Sequence, residues 1–143
     1  MNDLENRVLS SNTWGLVAML HEGLIERIDE SIEMVKEEKG HEELNPIFDN
    51  IRDILSELSI TFKGDTELGL SLKEIYLYVT KVLADAFRTK DLATFVDAKN
   101  IIKPIHEAFI ELSKKEEPDI VSGLTYGRGG LVNSEKSKLD IRK

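Results

Sequence analysis

The chain reads as an all-α protein, an antiparallel up-down-up-down four-helix bundle with a short N-terminal segment and a flexible C-terminal tail. Three observations predict this. Four long stretches carry apolar residues at intervals of three and four, the period of a helix with one buried face. Between them stand the glycines, prolines and short polar residues that start and stop helices. The connections that remain, about 40–45, 63–66 and 88–91, are short enough to make successive helices antiparallel neighbours.

The first helix is expected from about Thr13 to Lys39, with Asn12 or Thr13 as N-cap and Gly40 as its end. Its buried face is Leu16, Val17, Leu20, Leu24, Ile28, Ile32 and Val35. Its outer face is acidic: Glu22, Glu26, Asp29, Glu30, Glu33 and Glu37. Trp14 reads as a packing anchor at its start. The second helix is expected to open at Asn45-Pro46, a cap followed by a proline whose missing N–H costs nothing in the first turn. It buries Ile47, Ile51, Ile54, Leu55, Leu58 and Phe62, and Gly64 stops it.

The third helix, Glu67 to Ala86, is the unusual one. Leu68, Leu72, Ile75, Val79, Val82, Leu83 and Ala86 form one stripe at 100° per residue, with Tyr76 at the core edge and its hydroxyl reaching water. Leu70, Leu77 and Ala84 repeat every seven residues on nearly the opposite side, and Tyr78 stands outside both stripes. A helix with a surplus apolar face is either central in its domain or keeps that face for a partner. The fourth helix is expected from Asp91 to Lys115, burying Phe95, Ala98, Ile101, Ile102, Ile105, Phe109 and Leu112, with Pro104 expected to kink it. Residues 1–12 read as a separate N-terminal segment with Leu4, Val8 and Leu9 on one face; 13–117 form the bundle; 118–143, with four glycines, form the tail.

Composition narrows the function. At 143 residues there is length for one domain, and a net charge of −8 provides no basic field for nucleic acid. Residues 119–143 hold five Lys/Arg against three acids, so an acidic body carries a mildly basic tail. Zero cysteines excludes disulfides, thiol catalysis and Cys-ligated metal. No apolar run is long enough to insert into a membrane, and MNDLENRVLSSN lacks signal-peptide architecture, so a cytoplasmic location is expected. No phosphate-binding glycine motif or nucleophile elbow is present. His21, His41 and His106 lie on or near different helices, and the one Glu-x-x-His spacing, Glu38 to His41, is broken by Gly40. No catalytic residue, cofactor or metal site is therefore expected.

Several stretches resemble the flagellin export chaperones, the FliS family. Leu16-Val17-Ala18-Met19-Leu20-His21-Glu22-Gly23 is similar to that family's Leu-x-x-Met-Leu-Tyr-Asp-Gly, with His21 and Glu22 at the Tyr and Asp positions. Ile54-Leu55-Ser56-Glu57-Leu58 resembles its Ile-Ile-x-Glu-Leu. Glu67-Leu68-Gly69, Leu72, Ile75-Tyr76 and Tyr78 resemble its third-helix pattern, and Lys90-Asp91 fits ahead of the fourth helix. Phe109 lies near where many members carry Trp, and the chain runs on after Pro118.

The resemblance implies a four-helix bundle that binds the C-terminal helices of flagellin in the cytoplasm and keeps flagellin from polymerising before export. Another flagellar regulator or a co-chaperone is a further possible partner. The expected partner surface is Leu70, Leu77, Tyr78 and Ala84, with Met19 and Tyr76 beside it, and Leu4, Val8 and Leu9 form a lid over it. The protein is expected to be a monomer or weak homodimer. A homodimeric helical adaptor with no flagellin client is the alternative, since the same heptad spacing would serve a self-interface.

Overall fold

The computed structural model describes residues 13–62 and 66–115. The lid residues Leu4, Val8 and Leu9, the cap candidate Asn12, Gly64 and the tail from 118 onward lie outside the described residues. Four helices make up the described chain: α1 (Thr13–Lys36), α2 (His41–Thr61), α3 (Glu67–Thr89) and α4 (Leu92–Ser113). No helix among the described residues is long and apolar enough to cross a membrane.

Each helix packs on its neighbours in sequence, and α4 closes the ring on α1 through the most extensive of the four interfaces. Named contacts give the directions. Trp14 at the start of α1 meets Phe109 near the end of α4, and Phe48 early in α2 stacks on Phe87 late in α3. Phe62, just past α2, also reaches Phe109. Adjacent helices are thus antiparallel and diagonal ones parallel, as the short connections required. The core holds Val17, Leu24, Ile28, Leu44, Ile51, Leu58, Val79, Leu83, Phe95 and Ile102, all fully buried.

Three boundaries differ from the sequence expectation, each for a local reason. Gly40 does not end α1. Glu38 does, in the left-handed region at φ 64°, with Glu38 N–H donating to Val35 C=O and Lys39 N–H to Met34 C=O. These two bonds are the Schellman pairing that satisfies the last carbonyls of a helix. Gly40, extended at φ −84° and ψ 172°, is instead the N-cap of α2. The Glu43 carboxylate accepts from its N–H at 3.2 Å, while its carbonyl accepts from Glu43 and Leu44. The second helix therefore starts at His41, four residues before Asn45, and Pro46 lies inside it. Gly40 and the Glu43 carboxylate supply the cap that Asn45 was expected to supply.

In α3, Thr66 caps the start, its Oγ1 accepting from Gly69 N–H at 3.0 Å. The helix runs on to Thr89 and ends on Lys90 at φ 58°. Its core stripe runs through Tyr76 and is centred near Leu83. At 100° per residue, Gly69, Leu83 and Phe87 lie about 20° from Tyr76, and Leu72, Val79 and Ala86 lie about 40–80° from it on the Leu83 side; all are buried. Leu68, at the same angle as the buried Ala86 but in the first turn of the helix, is 43% exposed, which corrects its assignment to the core. α4 continues through Pro104, which is exposed, so the lost ladder hydrogen bond falls on the solvent side.

Candidate functional site

The outer flank of α3 is where large apolar side chains meet solvent. Leu70, Leu77 and Tyr78 are 51%, 58% and 59% exposed, and Ala84 is exposed as well. Leu70, Leu77 and Ala84 share a line because seven residues are nearly two turns. Measured from Tyr76, the line lies about 80–120° round the helix, on its flank. From the centre of the buried stripe near Leu83 it lies about 100–140° round the helix, outside the core but short of directly opposite it. Tyr78 lies roughly 160° from Tyr76 on the same count and belongs to the outermost surface. The three other large exposed apolar residues among the described ones are Leu68 in the first turn of α3, Ile60 on α2 and Val96 on α4.

Tyr76 is the clear correction. It is fully buried, and its hydroxyl does not reach water, so it presents no surface to a partner. The hydroxyl bonds His21 Nε2 at 2.9 Å, across the bundle between the diagonal helices α1 and α3. His21 Nδ1 bonds Val17 C=O at 2.9 Å. A carbonyl can only accept, so Nδ1 carries the proton, and in the neutral ring Nε2 accepts from Tyr76. The imidazole also stacks on Phe109, 5.3 Å between ring centres and 14° from parallel. Burial pulls its pKa from 6.5 down to about 4, against the Val17 bond, which favours the charged form, and with a smaller push from His106. Burial likewise raises the Tyr76 phenol. Both groups stay neutral, as a buried pair must to avoid an uncompensated charge.

Sequence reasoning missed His21 because a histidine breaks an apolar count. The signal was its place, four residues after Val17 and three before Leu24, in the middle of the buried stripe. Ser31 was missed for the same reason; its Oγ donates to Arg27 C=O at 2.8 Å and so enters the core satisfied. Trp14 is the anchor expected, buried against Phe109 at 5.1 Å. Met19 is half-buried and lies about 160° from His21 on α1, facing away from the core on a helix diagonal to α3.

The remaining polar groups show no convergence. His41 Nε2 meets the carbonyl of Phe87 at 3.2 Å, fixing the start of α2 to the C-terminal end of α3. A depression of about 410 Å³ between α1 and α4 is lined by Ile25 and Ile110 together with charged and polar residues including Glu22, Glu26, Lys103 and His106. Among the described residues no group of three or more His, Asp or Glu side chains could hold a metal ion. The ion pairs are surface ones, and Lys99 to Asp29 at 2.8 Å is the one that joins two helices among the described residues.

A ring of four antiparallel helices around a buried apolar interior, with exposed apolar residues along one of them, defines an all-α four-helix bundle. The family comparison narrows that class. The model of the family described as Flagellar protein FliS matches residues 1–116, and the chain belongs to that family of flagellar export chaperones. No curated protein matches the chain.

Proposed function

We propose that this protein is a cytoplasmic chaperone that binds the C-terminal segment of flagellin and prevents its premature polymerisation before type III flagellar secretion. The observation that carries the proposal is the exposed line Leu70–Leu77–Ala84 on α3 of a FliS-family bundle. An amphipathic client helix laid along it would bury apolar surface on both partners, the helix-in-groove mode. A flagellin segment held this way has its own apolar stripe covered and cannot use it to assemble with other flagellin molecules.

The test is calorimetric titration of the full-length protein and its Leu77→Ser variant with the purified C-terminal segment of flagellin. Removing a central apolar anchor should weaken binding by about thirtyfold, which corresponds to roughly 2 kcal/mol. Unchanged affinity in a variant with an unchanged melt would overturn the assignment of this flank. Light scattering on the protein alone gives the competing result: a doubled mass that Leu77→Ser reduces to one chain would make the flank a self-interface.

A further inference from the structure

Leu77 is bracketed along the helix by Lys73, four residues before it, and Lys81, four residues after it. Resting on the reading above, we infer that the client helix presents two carboxylates about two turns apart, which pair with Lys73 and Lys81 while an apolar residue between them packs on Leu77.

The lysines are available for this. Several cations on this bundle are already engaged: Arg27 with Glu30, Arg52 with Asp49, Arg88 with Asp85 and Lys99 with Asp29. Neither Lys73 nor Lys81 has an ion-pair partner among the described residues. Their setting is also distinctive. α1 and α2 are strongly acidic helices, whereas α3 carries equal numbers of acids and bases, Glu67, Glu74 and Asp85 against Lys73, Lys81 and Arg88. Glu74 stands about 60° from Leu77 on the outer side and, three residues from it, contributes one negative charge to the surroundings. The side chains at three and four residues from Leu77 are therefore two lysines, one glutamate and Thr80, net positive on a molecule of net charge −8.

Geometry sets the spacing. Eight residues at a rise of 1.5 Å separate the two lysine positions by about 12 Å along the axis. On a second helix lying nearly parallel or antiparallel to α3, residues seven apart share a face and are about 10.5 Å apart. The flexible lysine stems close the difference. Flanking charges of this kind set partner choice and register around an apolar seam, as they do in coiled coils.

The experiment compares the flagellin C-terminal segment binding to wild type, Lys73→Glu/Lys81→Glu and Leu77→Ser, each across a salt series and each checked by thermal melting. The charge reversal should weaken binding at least about tenfold at low salt and only a few-fold near 0.5 M, where such pairs are screened. Wild-type affinity should itself fall as salt rises. If the reversed variant binds as well as wild type at low salt while Leu77→Ser loses binding, the acidic-edge inference fails and the docking flank stands. If Leu77→Ser also binds normally, the docking reading fails and takes this inference with it.

Discussion

Tyr76 and Leu77 are consecutive residues of one helix, and their surroundings are inverted relative to their chemistry. The tyrosine, with a hydroxyl to satisfy, is fully buried; the leucine, with nothing to offer water, is 58% exposed. On the core side every polar group is matched, Tyr76 to His21 and His21 to Val17, and the apolar side chains interlock around them. On the flank, apolar surface is left without cover among the described residues. Side-chain polarity alone would have placed these two residues the other way round. The comparison separates two uses of a helix: one side fixes the fold, and the other is spare surface on a fold already complete.

The sharpest way to break the comparison is to place the same lysine on both sides. Leu72→Lys puts an ammonium in the core and should cost more than about 4 kcal/mol, enough to abolish cooperative unfolding in a small domain. Leu77→Lys should change stability by less than about 0.5 kcal/mol. Denaturant melts measure both, and equal destabilisation would mean the flank is buried in solution.

The second test is acid. His21 titrates near 4 in the folded protein and near 6.5 when unfolded. Between those values the unfolded chain binds the extra proton, so stability rises with pH across that window. The contribution of neutral His21 is complete above about 6.5 and lost as pH falls through the window toward 4, a total of about 3 kcal/mol. Melting temperatures recorded from pH 7 to 4 should fall steeply, and a His21→Phe variant should lose most of that slope.

Smaller effects sharpen the account of the pair itself. Tyr76→Phe leaves His21 Nε2 without a donor and should cost about 1–3 kcal/mol. Combining it with His21→Phe removes both partners, so the double variant should cost less than the two single costs added together. A strictly additive cycle would mean that the 2.9 Å bond does not couple α1 to α3. The least of the expected changes is a gain. Glu38 holds a left-handed conformation that glycine adopts without penalty, and Glu38→Gly should raise stability by about 1 kcal/mol in a thermal melt.

The helix count, the order of packing and most core positions could be read from the sequence, because long amphipathic periods between strong stop signals leave few alternatives. The helix ends were less legible. Glu38 and Lys90 end helices in a conformation usually given to glycine, so a reader who follows glycines moves the boundary from Glu38 to Gly40. The exposed line on α3 was legible as a seven-residue repeat. Its angle to the core was not, because that depended on the core centre, which the burial of Tyr76 and the exposure of Leu68 move toward Leu83. A buried tyrosine is visible to sequence reasoning only together with the histidine that satisfies it, and the two are 55 residues apart.

The contact of Trp14 and His21 with Phe109 has a consequence for how the molecule comes together. The most extensive helix interface joins the two helices furthest apart in the chain, α1 and α4. Closing a free loop of about 95 residues would cost roughly 4 kcal/mol of chain entropy beyond a constant, and packing each helix on its neighbour in sequence lowers that cost by shortening the free chain. Neither the α1–α2 hairpin nor the α3–α4 hairpin encloses the His21–Tyr76 bond, since one half supplies each partner. The bundle is thus fastened where its first and last helices clasp, and a chain still emerging from the ribosome has no complete core until α4 arrives.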